Sequence, residues 1–331
     1  MSPALGRLGE WERSASRCGA AGLTRPLHRS CRRCLVGRCP AAYAAVKDDG
    51  GEHGEWSRRT NVPVLNRGRV TVTVSAVLLD LDETILYDDA ATDAAFAATA
   101  AHASEVAQVD PARLIEAVRS DAAALWQQGP DPAWCHDIGT SEVEGLRARF
   151  EGDDPRMVAM RAWGPGFRRE SWQRALRHFG VEDDTLAAAL DQRFEQERAA
   201  TNPFIPGAEG ALDRLAARYR LAIVTNGIPD VQREKLIRTG LLERFEVVVI
   251  SGELGFGKPD RRIYEETLRL LDVPASECVM VGDNFRRDVA GAQALGIRGV
   301  WISCGRPVPD GGVTPYLSID SLAELPELLD A

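Results

Sequence analysis

Four short groups of residues in this chain carry side chains suited to chemistry. Asp80-Leu81-Asp82-Glu83-Thr84 sets two carboxylates two positions apart, and Thr225-Asn226-Gly227 offers a hydroxyl, an amide and a permissive glycine. Gly257-Lys258-Pro259-Asp260 places a lysine just before a helix start, and Gly282-Asp283-Asn284 is followed by a further carboxylate at Asp288. Taken singly, each has a plain reading: a solvated acidic turn, a helix cap, a surface lysine. Taken together they make a different set. Carboxylate oxygens suit a hard divalent cation. The Thr225 hydroxyl, the Asn226 side chain and the backbone N–H of Gly227 suit a phosphate held at a helix entrance.

The elements that position these groups are legible as apolar runs. Val70 to Leu79 (VTVTVSAVLL) begins with period-2 alternation and becomes continuously apolar, the pattern of a strand buried on both faces of a parallel sheet. Leu221–Val224, Val247–Ile250, Cys278–Val281 and Gly299–Ile302 are further short apolar runs. Helical patterns lie between them at Ala208–Tyr219, Val231–Thr239, Arg261–Leu271 with Asp260 as N-cap, and Asp288–Leu295 before Gly296. This alternation predicts an α/β fold, a doubly wound, parallel, Rossmann-like sheet. Each of the four chemical groups then follows a strand at one edge of that sheet.

The stretch between the first and second strands breaks the rhythm. It carries helical signals only: Asp110-Pro111 as N-cap and N1, then Leu114, Val118, Ala122 and Leu125; Trp172, Leu176 and Phe179 before Gly180; and Leu186, Leu190 and Phe194. The prediction is a core of residues 70–88 and 205–331 with an all-helical cap, 89–204, inserted at the end of the first strand. Ligands of open α/β sheets bind beyond the C-terminal strand ends, so the insertion overhangs the site. Trp134, Cys135 and His136 are read as packing and loop residues, and Arg286 and Arg287 as surface.

Composition narrows the function classes. Residues 1–69 hold 13 Lys and Arg against 6 Asp and Glu, a net of +7, whereas the remainder holds 27 against 43, a net of −16. An acidic body repels nucleic acid, and it binds a phosphate ester only with the help of a metal or a dedicated cation. The chain has three lysines, Lys47, Lys235 and Lys258, so a lysine at a motif position stands out. No run of roughly 18 apolar residues suits a membrane span. Cys135, Cys278 and Cys304 are too widely spaced for a disulfide framework, which points to a reducing cytoplasm. The basic segment 1–69 is predicted to be disordered; His28, Cys31, Cys34 and Cys39 fit no structural zinc spacing well, and a transit peptide or a misplaced start near Val70 are the other readings.

The four groups in this order resemble the motifs of the haloacid dehalogenase superfamily, in the subgroup with a helical cap between the first and second motifs. Thr-Asn-Gly, Gly-Lys-Pro-Asp and Val-Gly-Asp also resemble its branch of N-acylneuraminate-9-phosphatases and pyrimidine 5'-nucleotidases. The resemblance implies a phosphatase acting on small phosphate monoesters, with Asp80 as nucleophile, Asp82 as general acid and base, and Lys258 neutralising charge. It further implies phosphate contacts from Thr225, Asn226, Gly227 and Lys258, and Mg2+ held by Asp80, Asp82 and Asp283 with Asp288 and Asn284 behind them. The expected partner is a small phosphate ester, with no nucleic acid and no membrane, and the expected assembly is a monomer or homodimer. A sugar phosphomutase of the same fold, or a regulatory protein without catalysis, are the alternatives. Asp82 argues against a dehalogenase, and the absence of lysine between Thr84 and Leu221 argues against imine chemistry in the cap.

Overall fold

A computed structural model describes residues 73–329. The expectations for residues 1–69, including the His28, Cys31, Cys34 and Cys39 group, lie outside the described residues, as do positions 70–72 of the first predicted strand. Six parallel strands form one sheet: β1 (Ala76–Leu79), β2 (Arg220–Thr225), β3 (Val247–Ile250), β4 (Cys278–Gly282), β5 (Arg298–Ile302) and β6 (Leu317–Ile319), in the spatial order β3-β2-β1-β4-β5-β6. This is the doubly wound, Rossmann-like arrangement, and the strand order reverses beside β1.

Alternation along β1 divides the core. Val77 and Leu79 pack on one face with Ile223, Val279 and Val281, while Ala76 and Leu78 pack on the other with Ala222, Val224 and Met280. Helices cover both faces, so β1 is buried at every residue, which is why its sequence is continuously apolar rather than alternating. Each buried Val, Leu, Ile or Met side chain contributes about 1.5–3 kcal/mol by leaving water, and each alanine less.

Between β1 and β2 the chain forms α1 (Asp88–Ala107), α2 (Pro111–Trp126), α3 (Pro132–Ile138), α4 (Glu142–Gly145), α5 (Pro155–Arg177) and α6 (Asp184–Ala200). Asp110 caps α2 by accepting the Arg113 N–H at 2.8 Å, and Pro111 occupies N1, where its missing donor costs nothing. These helices have a core of their own around Phe96, Trp126, Phe150, Trp172 and Phe194. Trp134 and Cys135 are buried and His136 is exposed, all three on α3 rather than between helices.

The insertion leaves and rejoins the sheet at one place. Leu86 bridges Phe204, and the Tyr87 N–H donates to Pro203 O at 2.9 Å. Asp88, the first residue of α1, pairs with Arg198 in the last turn of α6, and that guanidinium also donates to Thr92 Oγ1, Thr201 O and Asn202 Oδ1. The remaining helices that matter for the site are α7 (Ala208–Ala216), α8 (Pro229–Arg238), α9 (Ser251–Leu254) and α10 (Arg261–Leu271). α10 is capped as predicted, with Asp260 accepting the Arg262 N–H at 2.9 Å.

Candidate active site

The C-terminal ends of β1, β2 and β4 and the loop that follows α9 meet at one edge. Asp80 extends β1 by one residue through its N–H to Val281 O at 2.9 Å, which fixes its side chain at the mouth of the sheet. Its Oδ1 accepts the Leu81 N–H at 2.9 Å and pairs with Lys258 Nζ at 2.8 Å. Lys258 Nζ also donates to Asp288 Oδ1 at 2.6 Å, and Asp288 Oδ2 accepts the Asn284 N–H at 2.9 Å. Asp288 is fully buried, and it fits because residue 282 is glycine: a Cβ there would stand 2.2 Å from the Asp288 Cγ.

Asp80, Asp283 and Asp288 offer carboxylate oxygens within 4.8 Å of one another. One buried lysine and the rim guanidinium of Arg306, 3.8 Å from Asp283, face these three carboxylates. The shortage of positive charge is visible in proton affinity. Burial pushes Asp80 up to about 6, with Lys258 opposing and Asp288 adding, and burial with Asp80 beside it pushes Asp283 up to about 7. Burial raises Asp288 also, against Lys258. Burial alone would lower Lys258, but Asp288 and Asp80 outweigh it and hold the ammonium charged. An all-oxygen donor set with excess negative charge fits a hard divalent cation.

Asp82 stands apart from this cluster. Lys235 Nζ contacts both its oxygens at 2.9 Å, and Gln232 Nε2 donates to its Oδ2 at 2.9 Å. Burial raises the proton affinity of Asp82, with Asp88 adding and Lys235 opposing. The sequence reading placed this carboxylate on the metal. The structure instead groups Asp288 with Asp80 and Asp283, because α8 supplies Asp82 with donors on its other side.

The phosphate-side residues also differ in part from expectation. Thr225 is buried at the end of β2 and its Oγ1 accepts from Gln232 Nε2 at 2.8 Å. The Asn226 amide is occupied with the main chain of Lys258: its Oδ1 accepts the Lys258 N–H at 2.8 Å and its Nδ2 donates to Lys258 O at 2.9 Å. The Gly227 N–H donates to Ser251 Oγ at 2.9 Å. Asn226 therefore ties the β2 loop to the Lys258 loop with its oxygen and one of its two amide hydrogens, and the Gly227 N–H is engaged by Ser251 Oγ.

The helical insertion rests on these same loops. Ser251 Oγ donates to Ile138 O at 2.6 Å, the Gly257 N–H to Asp137 O at 2.9 Å, and the Ile228 N–H to Glu144 Oε1 at 2.7 Å. Asp230 accepts the N–H groups of Arg149 and Glu151 at 2.8 and 3.3 Å. Lys235, Gln232, Glu144 and Arg306 were not singled out from sequence. The rarity of lysine was the one available signal, and it applied to Lys235 as much as to Lys258.

A family model for haloacid dehalogenase-like hydrolases matches residues 74–296. The chain belongs to the haloacid dehalogenase-like hydrolase family. Among curated members of that family, the chain is 36% identical to a phosphoserine phosphatase of Thermus thermophilus over 250 residues, covering 75% of this chain and 96% of the relative. It is 32% identical to the pyrimidine 5'-nucleotidase YjjG of Escherichia coli, over 49% of this chain and 69% of that one. It is 30% identical to the human N-acylneuraminate-9-phosphatase, over 50% and 68%. Among solved structures of the family, a 2-haloacid dehalogenase of Pseudomonas syringae aligns with a TM-score of 0.52 at 26% identity, covering 78% of this chain and 99% of that one. The fold is also shared with the putative hydrolase YfnB of Bacillus subtilis, at a TM-score of 0.54 and 21% identity, over 78% and 100%.

Proposed function

We propose that this chain is a phosphatase that hydrolyses small phosphate monoesters through an aspartyl-phosphate on Asp80. One observation carries the reading: a carboxylate at the end of β1 shares a buried lysine with Asp288 and faces Asp283, while a second carboxylate two residues on is held outside that group. In the first step an Asp80 oxygen attacks phosphorus in line, the ester P–O bond breaks, and the departing alkoxide takes a proton from Asp82. In the second step Asp82 takes a proton from water, the water oxygen attacks phosphorus, and inorganic phosphate leaves with Asp80 regenerated. Lys258 offsets charge on the transferring group, and Thr225 lines the phosphate side.

Asp80, Asp283 and Asp288 are the residues that would hold a divalent cation, Mg2+ in our reading. When bound it supplies the charge neutralisation that one lysine cannot give a phosphate dianion meeting a carboxylate. Displacement of a halide requires no proton donor to the leaving group, so the held Asp82 favours ester cleavage over dehalogenation. The phosphatase names of the most similar curated relatives support the same choice.

The reading includes residues 89–204 as a cap that selects the substrate over a core of 70–88 and 205–331. It also includes a cytoplasmic monomer or homodimer. Among the described residues no helix is long and apolar enough to cross a membrane. The purified chain should release nitrophenol from p-nitrophenyl phosphate with Mg2+ and lose that activity in EDTA. Turnover undiminished by EDTA would refute the cation-assisted scheme, and no turnover on any phosphate monoester would refute the enzyme.

A further inference from the structure

We infer that Lys235 and Gln232 are positioning residues that turn the Asp82 carboxylate away from the Asp80–Asp283–Asp288 group and fix it for proton transfer to the leaving group. The inference rests on the acid and base role proposed for Asp82.

Gln232 and Lys235 lie one turn apart on α8, so they share a helix face. That face looks onto the loop after β1, and both residues are buried, at 1% and 3% exposure. Lys235 Nζ grips both oxygens of Asp82, and Gln232 Nε2 adds a third contact to Oδ2. Sequence position alone would not keep Asp82 off the cation, since it stands two residues from Asp80 at the same sheet edge. A carboxylate drawn into the coordination of a hard cation is a weaker base, because the cation competes with the proton for it.

The two donors are themselves held. Lys235 Nζ pairs with Asp88 at 2.5 Å, and Asp88 pairs with Arg198. Gln232 Nε2 also reaches Thr225 Oγ1 at 2.8 Å and Asn226 O at 2.9 Å. One amide therefore sets the acid carboxylate relative to the phosphate-side threonine. The Gln232 Oε1 is buried without a hydrogen-bond partner, a penalty that an apolar side chain of similar volume would avoid. The residue is explained by what its Nε2 holds.

A role confined to packing α8 against the loop would slow every substrate alike. Positioning an acid instead matters most where the leaving group needs a proton. The test compares kcat on glycerol 3-phosphate, a poor leaving group, and on p-nitrophenyl phosphate, a good one, in Lys235→Met, Gln232→Met and Asp82→Asn of the full chain with Mg2+. We expect Lys235→Met to lose on the order of 100-fold on the alkyl ester, and at least about tenfold less on the aryl ester, with Lys235→Arg restoring much of the difference. Gln232→Met changes no charge and should show the same selectivity in milder form, which keeps the test available if Lys235→Met does not fold. Equal losses on both esters in the α8 variants, with selectivity in Asp82→Asn, overturn the inference alone. Equal losses in Asp82→Asn overturn the acid and base reading and the inference with it. Calorimetric titration adds a readout free of turnover: Mg2+ should bind more tightly to Lys235→Met, and the gain should vanish in the Lys235→Met/Asp82→Asn double variant. Tightening that survives in the double variant would show that Asp82 does not swing toward the cation, and would overturn the positioning role.

Discussion

The two lysines among the described residues are both buried, and they make a natural comparison. Lys258 is shared by Asp80 and Asp288, and Lys235 by Asp82 and Asp88. The two stations look alike until their surroundings are counted. Asp283 crowds the first, and its carboxylates are pushed upward in proton affinity. Arg198 and Arg147 stand near the second. Burial would raise Asp88, but Lys235 and then Arg198 and Arg147 outweigh it and hold it below the usual range. Asp82 at the second station is raised too, by burial and then by Asp88, so the stations differ in their company rather than in the direction of every shift. The first gathers three carboxylates within 4.8 Å of one another around one lysine, and the second shares its lysine between two, with Arg198 alongside.

The most severe way to break the first station is Asp80→Asn, which removes the nucleophile and a cation ligand while leaving the volume unchanged. We expect kcat to fall by at least about 10⁴-fold, measured on p-nitrophenyl phosphate with the fold checked by circular dichroism. Retention of a tenth of the activity would reject Asp80 as the attacking group. The comparison itself is sharpened by Lys258→Met against Lys235→Met. Each leaves two carboxylates without their lysine, at a cost in urea unfolding of the metal-free protein of about 3–5 kcal/mol where they are buried, as Asp80 and Asp288 are, and less for the part-exposed Asp82 and Asp88. Addition of Mg2+ should recover part of the loss in both, by direct replacement of the lysine charge in Lys258→Met and only through Asp82 in Lys235→Met, so adding Asp82→Asn should abolish the recovery in Lys235→Met alone; recovery that survives Asp82→Asn in both would erase the distinction between the stations.

A smaller effect is expected where the insertion meets the core. Burial pushes Glu144 up to about 7, against Lys235 and the hydrogen bonds from Thr140 and Ile228. Because the folded protein holds this proton more tightly than the unfolded chain, its contribution is fully present below the unfolded value near 4.5. That contribution is lost as pH rises through 7. Glu144→Gln can keep both hydrogen bonds without the charge, so it should gain on the order of 1 kcal/mol relative to the native protein at pH 8 and little at pH 4.5. A gain independent of pH would assign the effect to packing instead.

Much of the sheet was legible because a strand buried on both faces has to be apolar throughout. Val247–Ile250 was placed as it stands, and β2, β4 and β5 within a residue or two. β6 escaped notice since it is a three-residue edge strand with Ser318 exposed. α1 gave no stripe to read, because alanines lie on all its sides and small side chains pack wherever they fall. In the site, the residues that follow strands were legible from their order. The partners of Asp82 were not: Lys235 is 153 positions away and meets it only through tertiary packing. Asn226 and Gly227 were legible as a loop, but their hydrogen bonds go to Lys258 and Ser251, which spacing does not reveal.

Both covalent crossings between sheet and insertion pass through one gate, latched by Leu86 with Phe204 and by Asp88 with Arg198. The segment beyond the gate is joined covalently at that one place, while hydrogen bonds at Asp137, Ile138, Glu144, Arg149 and Glu151 seat it on the loops of the site. A transplanted helical segment would therefore have to keep both the gate and those seats to leave the site undisturbed.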